Sequence, residues 1–176
     1  MKKLVFLFAL LITTIASAQK NSLLVGGNVG FSSEKIGDSK LSDFELSPLV
    51  GYQFSEKWTA GLQGSIMNAK VTGLENNEKY KVGGFVRYSV SLSELFSFYG
   101  DFGVGYQKTS LNNAKGIYAG FEPGVYMDIK NGFCLNFSIG GINYDNLNGK
   151  NDLRQNHIGF DFGKTLNIGI SKNFVL

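Results

Sequence analysis

The sequence predicts an all-β protein, an eight-stranded antiparallel up-and-down transmembrane β-barrel. Three observations carry this reading. The first is residues 158–176, where eight of the ten even positions are apolar, from Ile158 and Phe160 through Ile168 and Ile170 to Leu176. Eight of the nine odd positions there are small or polar. Successive strand side chains point to opposite faces, so this stretch has one apolar and one polar face held in register. A bilayer crossing takes about 9–11 tilted strand residues, and residues 166–176 alone supply that length. The second observation is a regular alternation of short and long connections between strands. The third is composition. Glycine, at 23 of 176 residues, is about twice its usual share of roughly 7%. There are 15 Phe and 8 Tyr against 2 Pro. No apolar run beyond the N-terminus approaches the 18 residues of a membrane helix.

The elements follow in order. The first strand, residues 22–32, puts Leu23, Val25, Val29 and Phe31 on one face and Gly26, Asn28, Gly30 and Ser32 on the other. Residues 33–41 are polar and read as a loop. The second strand, 42–54, sets Phe44, Leu46, Pro48, Val50, Tyr52 and Phe54 against Asp43, Glu45, Ser47, Gly51 and Gln53. Pro48 has no N–H for a ladder and marks a bulge or weak pairing point. Residues 55–57 form a short turn. The third strand, 58–70, sets Trp58, Ala60, Leu62 and Ile66 against Thr59, Gly61, Gln63 and Ser65. A polar loop, 71–79, precedes the fourth strand, 80–91, with Val82, Val86, Tyr88 and Val90 against Lys81, Gly83, Arg87 and Ser89.

After a turn near 92–95 the fifth strand, 96–109, sets Phe96, Phe98, Phe102, Val104 and Tyr106 against Tyr99, Asp101, Gly103, Gly105 and Gln107. Residues 110–115 are a loop. The sixth strand, 116–129, alternates from Ile117 to Ile129 against Tyr118, Glu122, Tyr126 and Asp128. Asn131-Gly132 is a hairpin turn signal. The seventh strand, 133–144, sets Phe133, Leu135, Phe137 and Ile139 against Cys134, Asn136, Ser138 and Gly140. The Asn-rich stretch 145–157 reads as the longest loop, followed by the closing strand.

The N-terminus carries an address. Lys2 and Lys3 precede the apolar run Leu4–Ile12, and Ala16-Ser17-Ala18 is a small-residue cleavage site. Residues 1–18 are therefore read as a removable secretory signal peptide, leaving 19–176 as a single barrel domain. Losing Lys2 and Lys3 from the 17 basic residues leaves 15 against 14 acidic ones. With no basic run, nucleic-acid binding has no electrostatic support. The single Cys, Cys134, allows no internal disulfide. A closed barrel is then the means of stability, because each strand is hydrogen-bonded on both sides.

These features resemble the small eight-stranded outer-membrane barrels of the OmpA-like and OmpX-like family. The resemblance covers nearly all of residues 19–176. It implies outer-membrane localisation in a Gram-negative-type bacterium, lipid around the barrel, short periplasmic turns and long outer loops. A monomeric barrel that needs no cofactor is expected. Family members end in an aromatic residue read by the outer-membrane assembly machinery. This chain ends in Leu176 with Phe174 two residues earlier, and these two are assigned as its insertion signal.

Charges on the Gly-rich face, Glu45, Lys81, Arg87, Asp101, Glu122 and Asp128, are expected to line the interior, since Arg or Lys facing lipid costs about 2–4 kcal/mol at midplane. A turn centred near Glu94 sets Arg87 opposite Asp101, with Glu122 one strand further. These three are the predicted interior ion-pair network, whose role is either a packed polar core or a gate. No catalytic, cofactor-binding or metal residues are assigned. One His and one Cys are too few for a metal site.

The function expected is non-enzymatic: a barrel with a narrow, side-chain-filled interior that serves envelope structure or presents loops. One alternative is an outer-leaflet lipid-modifying enzyme using His157 with Ser110 and Asp161. Another is a soluble lipocalin-like barrel, which would turn its apolar face inward around an apolar ligand. Aromatic residues near both strand ends favour the membrane reading. Phe54, Trp58, Phe96, Phe133 and Phe174 lie on the turn side, and Phe31, Phe44, Tyr80 and Tyr106 on the loop side.

Overall fold

A computed structural model describes residues 21–176 except 37–38, 74–75, 111–112 and 150–153. The predicted signal peptide lies outside the described residues. Eight antiparallel strands close into one barrel in sequence order. They are β1 (Ser22–Ile36), β2 (Ser39–Gln53), β3 (Trp58–Val71), β4 (Asn77–Ser91), β5 (Phe96–Thr109), β6 (Lys115–Lys130), β7 (Phe133–Asn148) and β8 (Arg154–Val175).

The strand count and order match the sequence reading, but the outer ends are longer than it placed them. From sequence alone the stretches 33–41 and 145–157 read as loops. Here β1 runs to Ile36 and β2 begins at Ser39, while β7 runs to Asn148 and β8 begins at Arg154. The physical reason is that alternation is required only where one face meets lipid. Above the membrane a hydrogen-bonded ladder continues with polar side chains on both faces, and Ser32↔Asp43, Ser33↔Ser42 and Lys35↔Lys40 pair in this way. At the other end of the barrel the turns are short. Phe54 lies past the end of β2, its N–H donating to the Trp58 carbonyl at 3.1 Å. Asn131 and Gly132 both take the positive φ that a two-residue hairpin demands.

Burial assigns the two faces. Arg87, Gln107, Thr59, Ser97, Asn136 and Ser171 are buried, whereas Leu62, Val82, Phe102, Val104 and Ile170 on neighbouring positions are exposed. The apolar face therefore turns outward all round the barrel, the reverse of the lipocalin arrangement. Trp58 and Tyr88 meet at the turn end of the outer face, their rings tilted by 55° and their centroids 4.8 Å apart.

Both prolines interrupt a ladder, as a missing N–H requires. The β2–β3 pairing skips from Leu46↔Ile66 to Leu49↔Gln63 around Pro48 with no change of register. The β6–β7 pairing breaks between Phe121↔Ile142 and Gly124↔Ser138, across Pro123, and there the register shifts. Three steps on β6 face four on β7, so β7 carries one extra residue. Gly140 accommodates it with φ of +93°, and a Cβ at that position would collide with the Asp161 carbonyl. One extra residue inverts the alternation. Ile139 is outward on the lower part of β7 and Ile142 on the upper part.

The lipid-facing assignment predicts an asymmetric mutational response. Phe102 is 56% exposed in mid-strand, beside the buried Gly103. Phe102→Arg should cost about 2–4 kcal/mol of folding free energy in bilayers, and Phe102→Leu much less. Unfolding titrations in lipid vesicles measure both. Equal losses would place Phe102 away from lipid.

Candidate functional site: the barrel interior

The inward positions build two charged layers above a base lined mostly by small polar groups, Thr59, Ser89 and Ser171 among them. Leu24 and Cys134 are buried at that base, and Phe85, two positions from Arg87 toward the outer end of β4, is buried above it. Leu24 and Phe85 sit at positions of the polar face where the sequence reading named no core residue. Their signal is an apolar residue out of phase, Leu24 following Leu23 and Phe85 preceding Val86.

The first charged layer is centred on Arg87. It is 5% exposed and cross-strand to Asp101. Its Nε donates to Asp101 Oδ1 and its Nη2 to Oδ2, each at 2.7 Å. This is a bidentate, charge-assisted fork, the strong form of the interaction. The guanidinium also lies over the Tyr99 ring, 4.2 Å from its centroid. Asp101 is in turn opposite Glu122 on β6. Thus Arg87 and Asp101 are joined directly. Glu122 is brought beside them through register, and among the described residues it forms no ion pair. Glu45, on β2, accepts from the Ser47 hydroxyl at 2.7 Å and the Ser65 hydroxyl at 3.2 Å.

The second layer lies toward the long-hairpin end. Asp145 Oδ1 sits 3.3 Å from Lys81 Nζ and 3.6 Å from Lys79 Nζ. Lys81 also lies over the Tyr118 ring at 4.9 Å. The sequence reading placed Lys81 inside but missed Lys79 and Asp145, because it ended β7 at Tyr144 and started β4 at Tyr80. The continued alternation of Ile142 and Tyr144 with Asn143 and Asp145 was the available signal.

These layers divide the interior. A cavity of about 480 Å³ occupies the middle and outer part, lined among others by Glu45, Lys81, Asp101 and Glu122. A much smaller one, about 20 Å³, lies below, between Leu24, Thr59, Tyr126 and Cys134. Among the described residues Arg87 alone is common to both linings. A third cavity of about 430 Å³ at the outer end shares Gly30, Glu45 and Met67 with the large one.

The residues considered for catalysis are not arranged as a triad. Ser110 accepts from the Glu78 N–H at 2.8 Å and donates to the Asn76 carbonyl at 3.3 Å, at the β3–β4 side. His157 is exposed on β8, cross-strand to Asp145. Asp161 lines the large cavity. Among the described residues no group of three His, Cys, Asp or Glu side chains is arranged to hold a metal. Of the C-terminal pair, Phe174 faces outward opposite Leu23, and the Leu176 N–H donates to the Asn21 carbonyl at 2.8 Å.

Comparison with known proteins gives the barrel its setting. No curated protein matches the chain. Among solved structures, the outer membrane protein OprG of Pseudomonas aeruginosa is similar at 16% identity and a TM-score of 0.51, covering 89% of this chain and 97% of its own. The E. coli outer membrane protein W is similar at 10% identity and a TM-score of 0.50, over 90% and 100% of the two chains. At these identities the likeness is one of fold. The family described as outer membrane protein beta-barrel domain matches residues 4–165, nearly the whole chain. With the closed eight-stranded barrel and its outward apolar face, that match assigns the chain to the outer membrane protein beta-barrel family, an integral protein of the Gram-negative outer membrane.

Proposed function

We propose that this barrel is a non-enzymatic outer-membrane protein that forms a cup, open outward and sealed at its periplasmic end. Its work is structural and surface-directed: it stabilises the envelope and presents its extended outer hairpins. The observation that carries this reading is Arg87, which stands between the large outer cavity and the small inner one. Held by Asp101 on one side and Tyr99 on the other, it acts as a fixed septum. Below it, Leu24 and Cys134 narrow the small cavity at the base. Eight strands leave an interior only wide enough for side chains, so one immobile Arg suffices to close it.

On this reading Arg87, Asp101 and Glu122 form a network that holds the barrel shut. Phe174 and Leu176 present the end of β8 to the assembly machinery from the periplasmic rim, and the mature protein is a monomer. The lipid-modifying alternative gains nothing from the geometry, since Ser110 is engaged with the β3–β4 side while His157 lies on β8.

Stability and conductance test the septum together. Removing one partner of a buried pair costs on the order of 3–5 kcal/mol. Arg87→Ala should lower the stability toward denaturant by about 3 kcal/mol, the low end because the polar cavity beside the pair is large enough to admit water. Adding Asp101→Asn should restore part of the loss, and the double-mutant cycle gives the coupling. Purely additive effects would separate the two side chains energetically. In planar bilayers the wild-type barrel should show only small or rare conductance steps, and Arg87→Ala should raise their size or frequency. Large, steady steps from the wild type would overturn the sealed cup.

A further inference from the structure

The outer part of the barrel sorts its charges by face. Side chains an even number of residues apart on a regular strand share a face. Lys35, Lys40, Lys70, Lys108, Lys115 and Arg154 each lie two or four residues from an exposed apolar side chain of their own strand, with no register shift between. All six are exposed and face outward. Glu78 is the one carboxylate on that face among the described strand residues, and it accepts from the Tyr80 hydroxyl at 2.7 Å. None of the six cations forms an ion pair among the described residues.

Three of them stand in one row. Lys108 on β5 is directly opposite Lys115 on β6, Lys115 is opposite Asn148 on β7, and Asn148 is opposite Arg154 on β8. Paired strands lie about 4.8 Å apart, so the row spans about 14 Å. Like charges directly opposite each other destabilise a sheet, and an anion between them reverses the sign of that effect. Carboxamides continue the polar surface beside the row. Asn148 donates to Asn146 at 3.4 Å and Asn146 to Asn156 at 2.5 Å.

The row sits directly on the apolar band. The next outward side chain toward the membrane is Tyr106 on β5 and Ile117 on β6, 45% and 55% exposed, with Ile158 on β8 beneath Arg154. Lys35 and Lys40 are also opposite each other, but there a polar pair, Ser33↔Ser42, separates them from Phe31↔Phe44. The β5–β8 row is therefore at the polar edge of the lipid-facing surface, and the Lys35–Lys40 pair stands off it. Long basic side chains lay their stems along apolar surface and hold the charge at its edge. Basic clusters beside a membrane surface attract anionic lipid heads, and Lys and Arg bind phosphate by charge-assisted hydrogen bonds.

We infer that Lys108, Lys115 and Arg154 form a docking row on the outer wall for a phosphate-bearing lipid of the outer leaflet. The phosphate sits between Lys108 and Lys115. Arg154 and the Asn148 carboxamide take the remaining polar part of the head, and the acyl chains lie along Tyr106, Ile117 and Ile158. No covalent step is involved.

The test uses the refolded full barrel in phosphatidylcholine nanodiscs with an increasing share of phosphatidic acid, followed by backbone amide NMR. Phosphatidic acid should give saturable shifts at Lys108, Lys115 and Asn148 and none at Gly132 in the β6–β7 turn. Inorganic phosphate should give none that saturate. Lys108→Gln with Lys115→Gln should weaken binding by roughly tenfold or more, Lys108→Gln alone by less, and Lys108→Arg with Lys115→Arg should retain it. Lys35→Gln with Lys40→Gln removes the same charge from the pair that stands off the apolar band and should leave binding unchanged. Gel mobility before and after boiling checks that each variant is a folded barrel. Equal saturation by inorganic phosphate would show a free-anion site and overturn the lipid. Equal weakening by the Lys35 and Lys40 changes would show a response to net charge and overturn the row. The absence of saturable shifts with phosphatidic acid would overturn the site altogether.

Discussion

The constraint on which this structure depends is that backbone polar groups inside a bilayer have no water to turn to. Each N–H and C=O at that depth needs a partner within the protein. A sheet meets the requirement only by closing on itself, so the contact between first and last strands governs the whole molecule. Seven of the eight neighbouring strand pairs meet the constraint over nearly their full length. The eighth, β1 with β8, meets it only from the periplasmic rim to Asn28 and Gly169.

The same constraint explains the composition. With the apolar face turned to lipid, the inner surface must fit inside a narrow cylinder. Glycine lets strands and side chains approach there. At Gly124 a Cβ would strike the Tyr99 ring, and at Gly103 it would meet the Gln63 amide. The large interior rings of Tyr99 and Tyr118 occupy space that neighbouring glycines vacate. Above the membrane the constraint lapses, and polar ladders such as Ser33↔Ser42 lengthen the strands without an apolar face.

The interior is graded along the barrel axis. Small polar side chains with Leu24 and Cys134 line the base at the short-turn end, the Arg87–Asp101 fork lies above them, and the Lys79, Lys81 and Asp145 cluster lies nearer the outer end. The two cation layers differ in character. Arg87 is fixed by a planar bidentate contact and an aromatic face, which suits a septum. Lys79 and Lys81 share one carboxylate at 3.6 and 3.3 Å through flexible stems, beside open cavity. Rigidity at the base and looseness toward the mouth are what a cup sealed at one end requires.

By itself the sequence determined the class of fold, the number of strands, the lipid-facing side chains and the pairing of Arg87 with Asp101. Each depends on a local rule: period-two alternation, turn length, and a register counted outward from a short turn. It determined the Pro48 interruption too, because a missing N–H is a local fact. Only the tertiary structure decided the rest. The true strand ends were hidden, since polar ladders above the membrane carry no alternation. The inversion within β7 was hidden because one extra residue at Gly140 has meaning only against its partner strand. Leu24 and Phe85 entered the interior, and Asp145 met the two lysines, through packing across the barrel. The parting of β1 from β8 was the least legible of all. Residues 158–176 keep one phase of alternation with Lys164 and Lys172 as polar exceptions on the apolar face, yet closure depends on whether two distant strands arrive at the same height and angle, and the ladder between them ends at Asn28↔Gly169.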